Sequence, residues 1–176
     1  MKNFKNLIKL FPELQDQIDL FHKVLKKEDC LSGENRKLIA WAVATASQNV
    51  PLRDFIRSEL GELTFEEKRI IVISSSRMAV TNPYYMSRNV FPLQSGGTLD
   101  VLDFRPFQDL NINNEVGYHY ACIAISSVNT GLMCFASHAN SLRSHSQSDE
   151  AIDQALRIIS SVLAIKQMMF NLNLEG

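Results

Sequence analysis

Apolar residues recur every three or four positions along most of the chain, which is the spacing that gathers them on one face of an α-helix. In the first third of the chain, this pattern predicts a helix over residues 11–27, a second helix capped by Ser32, and a short helix that ends at Leu60 before Gly61. Only seven glycines and five prolines interrupt the 176 residues, as expected for a helical protein. The sequence therefore predicts an all-α fold.

A longer helical pattern follows Thr64, whose spacing from Glu67 is typical of a capping box. The apolar run over residues 70–73 is also compatible with a strand, but the capping box before it favours a helix. Asn82-Pro83 is expected to interrupt this helix, because proline lacks the backbone N–H that a helix interior uses. A further helical segment is then predicted over residues 84–89.

Residues 91–114 form the one loop-rich segment, and a connector of this length is expected to carry short helices or contacts. Beyond it, the pattern predicts a helix over residues 115–128 and another from 129 to about 144. The last helix begins at Ser148 and is apolar nearly all round. It is therefore predicted to be buried in the domain or at a subunit contact.

Two parts of the chain share a plan. Residues 71–88 and 123–143 each contain a helix with small residues, a break with Asn and Thr, and a second helix. In this register Met86 lies opposite Cys134. Such a recurrence indicates an internal duplication.

The length predicts one domain over residues 1–176. The recurrence divides this domain into an N-terminal repeat over about 1–91 and a C-terminal repeat over about 115–176. A net charge of −1 without a local run of Lys or Arg argues against a nucleic-acid partner. The sequence shows neither a signal peptide nor an apolar run long enough for a membrane helix, so no membrane partner is expected. Three cysteines at unrelated spacings argue against a disulfide framework and favour the cytoplasm.

The segment from Asn129 to His138 holds the main candidate chemistry. It is predicted to open a helix with Cys134 in its first turn and His138 one turn later on the same face. The helix dipole and a nearby imidazolium would both favour the thiolate. Two hypotheses stay open: a small buried thiol near a hydrogen-bonded histidine, or a reactive thiolate with His138 as base or counter-ion. A dithiol motif would require a cysteine at position 131, where this chain has Gly131.

His119 and Cys122 lie three residues apart on the preceding helix, where both could face the helix of Cys134. A Cys122–Cys134 disulfide is compatible with this placement, but it requires Cα atoms within about 7 Å, which a sequence cannot establish. Zinc bound by these cysteines with His119 and His138 is an alternative by ligand type, without a supporting CxxC or HxxxH pair. No metal or other cofactor is expected. Glu115, one turn before His119, could orient that ring or form a solvated ion pair.

A family resemblance is carried by residues around Cys134 and along both halves of the chain: Ile125-Ser126-Ser127-Val128-Asn129, Cys134, His138, Ser141-Leu142-Arg143, Asp149-Glu150-Ala151-Ile152, Ala155-Leu156, Ala44-Thr45-Ala46 to Ile56, and Met78 to Phe91. Together with the total length, they resemble alkyl hydroperoxidase D (AhpD), a family of the wider carboxymuconolactone decarboxylase-like superfamily. The resemblance covers nearly the whole chain.

The resemblance implies an all-α domain of two related helical repeats, assembled as a homotrimer. It also implies a Cys-x-x-Cys pair with a downstream His and an upstream Glu as a proton relay. Such proteins reduce peroxides, or recycle a partner peroxiredoxin with electrons from a lipoylated carrier protein. Position by position, the second cysteine corresponds to Cys134 and the histidine to His138. The first cysteine corresponds to Gly131, the relay glutamate to His119, and the residue between the cysteines, often His, to Met133.

Without a thiol at position 131, the usual internal disulfide cannot form. The expected function is therefore thiol-dependent peroxide reduction through Cys134, assisted by His138, with weak or altered activity. A sulfenic acid on Cys134 would be resolved by an external thiol, or by Cys122 as a displaced resolving thiol. Two alternatives stay open: a catalytically inactive relative that serves as a binding or scaffold subunit, and a decarboxylase-like enzyme in which His rather than Cys transfers the proton.

Overall fold

A computed structural model describes residues 4–172, and over this range the chain forms α-helices and short helical turns without a β-strand. The predicted all-α fold is confirmed. Residues 1–3 and 173–176, the two ends of the predicted domain, lie outside the described residues. The α-helices are α1 Lys5–Leu10, α2 Gln15–His22, α3 Gly33–Ala46, α4 Val50–Leu60, α5 Phe65–Val90, α6 Glu115–Val128, α7 Leu132–Ser144 and α8 Asp149–Asn171.

Polar caps set the helix starts where the sequence predicts them. The Ser32 hydroxyl accepts from the backbone N–H of Asn35 at the start of α3, at 3.1 Å. At the start of α5, Thr64 Oγ1 accepts from the Glu67 N–H at 3.2 Å, while the Glu67 carboxylate accepts from the Thr64 N–H at 2.7 Å. Gly61 ends α4 with φ +81°, a backbone conformation that glycine adopts without strain. The capping box and the helical state of residues 70–73 are therefore confirmed.

The predicted interruption at Asn82-Pro83 is wrong, because α5 runs unbroken through Pro83. Proline in a helix interior costs about 3 kcal/mol in isolation. Here the surrounding turn is anchored, since Met78, Thr81 and Asn82 are buried and α5 packs against both α6 and α7. Tertiary packing thus outweighs the local penalty. The second half of the recurrence does break, at residues 129–131 between α6 and α7, so the division into two repeats stays a prediction.

The core is built around α3, which packs against α6 and α8, and α2 also packs against α8. Leu38, Ile123 and Ile158 are fully buried there. Helix α8 is not buried all round as predicted: it buries one face, including Ile158, Val162 and Ile165, while Leu156 and Phe170 are exposed. Among residues 4–172, no helix is long and apolar enough to cross a membrane.

Residues 91–114 lie along α5 and contain the two expected short helical turns, at Asp100–Leu102 and Phe107–Leu110. Three arginines of α5 hold this segment by its backbone, with Arg88 donating to the Leu93 carbonyl at 3.0 Å. Arg69 donates to the Leu110 carbonyl at 2.8 Å, and Arg77 donates to the Arg105 carbonyl. The segment is therefore fixed next to the helices that carry the candidate site.

We expect replacement of Gln154 by leucine to lower the free energy of unfolding by about 2–4 kcal/mol, because buried backbone groups would lose their partners. Gln154 of α8 is 0% exposed. It accepts from the Leu31 N–H at 2.9 Å and donates to the Val24 carbonyl at 2.7 Å. Urea unfolding measures the loss. Gln167→Leu is the matched control, since Gln167 lies on the same helix but is exposed and bonds only the Asn171 side chain. Equal effects of the two substitutions would contradict this role of Gln154.

Candidate active site

Cys134 lies at the start of α7, as the sequence predicts. Helix α7 begins at Leu132 after Gly131, so Cys134 occupies its third position. A tight turn sets this start, because Thr130 adopts the left-handed conformation (φ +56°) and the Gly131 N–H donates to the Ser126 carbonyl at 2.8 Å. The Cys134 residue is only 6% exposed.

Cys134 opens on a cavity of about 650 Å³ between α5, α6, α7 and the segment over residues 99–107. We call it the Cys134 cavity. One end is polar and the walls are mainly apolar. The lining comprises Arg77, Met78, Thr81, Tyr85, Leu99, Asp100, Phe104, Arg105, Pro106, Phe107, Glu115, Tyr118, His119, Met133, Cys134, Ser137, His138, Ser141 and His145. A volume of this size suits a small organic molecule.

Three histidines and a glutamate form the polar end of the cavity. The Nδ1 atoms of His119 and His138 lie 2.8 Å apart, so one ring donates a hydrogen bond and the other accepts it. Glu115 faces the far side of this pair, with Oε1 3.6 Å from His119 Nε2. Its other oxygen lies 3.5 Å from His145 Nε2. The order Glu115, His119, His138 therefore runs from the cavity rim towards the helix of Cys134.

Both rings of the hydrogen-bonded pair are held neutral. Burial, with the neighbouring His119 and the Arg77 charge, lowers the pKa of His138 to about 4. Burial also lowers the pKa of His119, although the Glu115 carboxylate opposes this shift. A neutral imidazole carries a free lone pair only on the nitrogen that is not protonated. At neutral pH both rings are thus unprotonated and keep a lone pair, and the lowered pKa makes His138 a weak base.

The expectation that the site favours the thiolate is wrong for this arrangement. Burial raises the pKa of the Cys134 thiol, and a hydrogen bond with the Thr81 side chain only partly opposes the shift. The reason lies in His138, which is neutral and whose Nδ1 faces His119. In residues 4–172 no hydrogen bond joins His138 to Cys134. The imidazolium that the sequence-based prediction placed beside the sulfur is therefore missing.

Cys122 does not share the cavity. It is fully buried in α6, and burial raises the pKa of its thiol while a hydrogen bond with Tyr118 opposes the shift. Cys122, Cys134 and the exposed Cys30 are all free thiols. Of the four candidate site residues, Cys134, His138 and His119 line one cavity, and Cys122 does not line it.

The zinc alternative finds no ligand set in the described part of the chain. Among residues 4–172, no group of three or more His, Cys, Asp or Glu side chains is placed to hold a metal ion. Cys122 is fully buried, and His119 and His138 direct their Nδ1 atoms at one another.

Asn82 fills the place that a side chain at position 131 would need. A Cβ atom there would lie 2.8 Å from Asn82 Cβ and closer still to its Cγ and Oδ1, whereas real Cβ contacts essentially never fall below 3.0 Å. Gly131 has φ −82°, which any residue adopts, so packing and not backbone strain requires the glycine. Asn82 is 2% exposed and accepts from the Ser126 hydroxyl at 3.1 Å. Its buried Nδ2 has no hydrogen-bond partner within residues 4–172.

Sequence reasoning missed Arg77, Thr81 and Tyr85, which all line the cavity. They lie four residues apart on α5, and this spacing puts them on one helical face. The signal was present in the sequence. The wrongly predicted break at Asn82-Pro83 hid it, because it ended the helix before the face was complete.

The fold and the site define a helical protein with one cavity-lining thiol next to a neutral histidine pair. No family model matches this chain. Over 174 residues it is 26% identical to a protein named alkyl hydroperoxide reductase AhpD from Mycobacteroides abscessus, with 95% of each chain covered. It is 27% identical over 169 residues to one of the same name from Mycolicibacterium paratuberculosis, covering 93% of this chain and 92% of the other. A third, from Solibacter usitatus, is 23% identical over 159 residues, with 90% of each covered. The chain is thus similar to these AhpD proteins along nearly its whole length.

Proposed function

We propose that this AhpD-like protein reduces organic hydroperoxides through the single thiol of Cys134, assisted by His138. The observation that carries the proposal is the shared cavity. Cys134 and the neutral His119–His138 pair line the same space, which is large enough for a small organic molecule. The names of the similar proteins support the same reaction class.

In the proposed reaction, the thiol proton of Cys134 passes to His138 and the sulfur attacks the terminal oxygen of the hydroperoxide. The S–O bond forms as the O–O bond breaks. Sulfur loses two electrons and becomes the sulfenic acid, while the leaving alkoxide takes the proton and departs as the alcohol. Cys–SH and ROOH thus give Cys–SOH and ROH. His138 needs a movement of its ring towards the sulfur, because it faces His119 in the structure.

Glu115 and His119 are proposed to replace the carboxylate that AhpD places at position 119. The carboxylate lies one turn earlier on α6, and His119 stands between it and His138. Glu115 would stabilise positive charge on His119 when a proton arrives at His138. His119 would also select which nitrogen of His138 is protonated.

The second half of the cycle needs an external thiol. One thiol molecule displaces water from the sulfenic acid to give a mixed disulfide, and a second releases Cys–SH and the disulfide of the reductant. A lipoylated carrier protein or a peroxiredoxin is the proposed protein partner. We also propose that the protein forms a homotrimer and is located in the cytoplasm.

A peroxide pulse followed by sulfenic-acid trapping and mass spectrometry tests the proposal. The expected result is trapped sulfenic acid on Cys134 in the wild type and in Cys122→Ser. Cys30 is the internal control, because it is exposed and free and reports unassisted oxidation. Oxidation of the buried Cys134 ahead of the exposed Cys30 supports the proposal. A Cys122–Cys134 bridge that disappears in Cys122→Ser would identify Cys122 as the resolving thiol, and oxidation confined to Cys30 would overturn the peroxidase function.

The histidine pair supports a second candidate, proton transfer without the thiol. His138 faces His119 and not Cys134, and its pKa of about 4 makes it a neutral base at physiological pH. A decarboxylase-like enzyme would use such a base directly. Replacement of Cys134 distinguishes the two candidates. Activity is lost if the thiol carries the reaction and is retained if the histidine pair carries it.

A further inference from the structure

The Cys134 cavity holds a positively charged side chain that the proposed reaction does not use. Arg77 of α5 lines the cavity and is half-buried. Its guanidinium donates to the Arg105 carbonyl and stacks over the Phe104 ring, with Cζ 4.8 Å from the ring centroid. The Arg105 carbonyl and the Tyr118 hydroxyl together use two of the five N–H donors, so donors remain for another acceptor.

No carboxylate in residues 4–172 forms an ion pair with Arg77. The two acidic residues of the cavity have other neighbours. Glu115 faces His119 and His145. The pKa of Tyr85 is raised by burial, and the charge of Asp100 adds to this shift. Arg157 does have such a partner, Glu28 at 2.6 Å, whereas Arg105, the other arginine that lines the cavity, is exposed. A fixed guanidinium without a carboxylate in a largely apolar cavity is a binding group for an anion.

The remaining walls favour an apolar body. Leu99, Phe104, Phe107 and Met133 line the space around Arg77 and Cys134. The charge of Arg77 also reaches His138, where it contributes to the lowered pKa after burial and His119. The anion site and the candidate reaction site are therefore close neighbours in one cavity.

We propose that the cavity binds organic hydroperoxides that carry a carboxylate, with the carboxylate on Arg77 and the hydroperoxide group at Cys134. This specificity rests on the proposed peroxidase function for its turnover, but not for its binding step. The guanidinium forms charge-assisted hydrogen bonds to the carboxylate, and the apolar walls cover the hydrocarbon body. The covalent step is the one described above, in which Cys–SH and ROOH give Cys–SOH and ROH.

The kinetic test compares a short hydroperoxy acid, 4-hydroperoxy-4-methylpentanoic acid, with its methyl ester, because the ester lacks the charge that Arg77 would bind. The rate of Cys134 oxidation in a single turnover is expected to be roughly tenfold higher for the acid. In Arg77→Gln the ratio of the acid rate to the ester rate is expected to fall to about one, and a far-UV circular dichroism spectrum checks that the variant is folded. Arg77→Lys keeps part of the preference. Equal rates for acid and ester in the wild type would overturn the proposal.

Arg69→Gln is the matched control. Arg69 lies two turns earlier on α5 and likewise donates to a carbonyl of the 91–114 segment, but it does not line the cavity. Its replacement is expected to leave the preference for the acid unchanged. Loss of the preference in Arg69→Gln as well as in Arg77→Gln would trace the effect to loosening of the segment and contradict a carboxylate site.

A binding measurement separates this proposal from the proposed function. Isothermal titration calorimetry of Cys134→Ser uses the unreactive hydroxy acid that corresponds to the reduced product. We expect binding of the hydroxy acid, weakened roughly tenfold when Arg77→Gln is added. Binding that depends on Arg77 without oxidation of Cys134 in the wild type would uphold the carboxylate site and refute the peroxidase. Oxidation of Cys134 in the wild type without binding that depends on Arg77 would support the peroxidase and refute the carboxylate site.

Discussion

Replacement of Cys134 by serine is expected to reduce hydroperoxide consumption to the background of the buffer, a loss of roughly a thousandfold or more. Serine is nearly the same size, but its oxygen cannot be oxidised to a sulfenic acid. Cys134 is the one cysteine of the described chain that lines the cavity. The measurement is consumption of an organic hydroperoxide in the presence of excess thiol. Cys30→Ser is the control, since Cys30 is exposed and away from the cavity.

The pH dependence adds a second requirement to the same experiment. Because burial raises the pKa of Cys134, the thiolate is a minor species at neutral pH. The wild-type rate should therefore increase as the pH rises towards and through the thiol pKa, and the increase should be absent in Cys134→Ser. Activity that survives in Cys134→Ser would refute the thiol mechanism and leave the His119–His138 pair as the candidate base.

Gly131→Ala is expected to lower the free energy of unfolding by about 2–3 kcal/mol, because one methyl group enters space that Asn82 fills. Gly33→Ala is the matched control. It also lies at a helix start, but the nearest atom to its Cβ would be the end of the flexible Arg36 side chain at 3.7 Å. The control should be neutral or slightly stabilising. Urea unfolding of both variants measures the difference.

A double-mutant cycle with Asn82→Ala tests the cause. Removing the amide of Asn82 clears the two closest atoms and leaves one contact at 2.8 Å, which a small helix shift relieves. The two substitutions should therefore couple by about 1–2 kcal/mol in favour of the double variant. Strictly additive costs would show that Asn82 is not what excludes a side chain at position 131.

The helices could be predicted from the sequence because their starts are locally encoded. Ser32, Thr64 and Ser148 cap helices where the pattern places them, and α6 spans the residues predicted for it. The placement of Cys134 in the first turn of a helix has the same origin. These features depend on neighbours within one turn of the chain, which a sequence displays directly.

What could not be predicted depends on residues far apart in sequence. Pro83 stays helical because its turn of α5 packs against α6 and α7. The pKa of Cys134 is raised by burial, which the helix dipole alone does not reveal. His138 loses its expected partner to His119, nineteen residues earlier. In each of these three cases, a tertiary contact outweighs a local preference that the sequence shows correctly.

The packing of Asn82 against Gly131 also bears on how such a site changes over generations. A cysteine at position 131 must enter space already occupied, and shortening Asn82 first gives up its bond to Ser126 with nothing gained. Both single changes are therefore expected to be unfavourable, and the second only partly relieves the cost of the first. A descendant of this chain would therefore need at least two substitutions, at positions 131 and 82, to gain a second thiol next to Cys134, and each substitution alone is expected to be unfavourable.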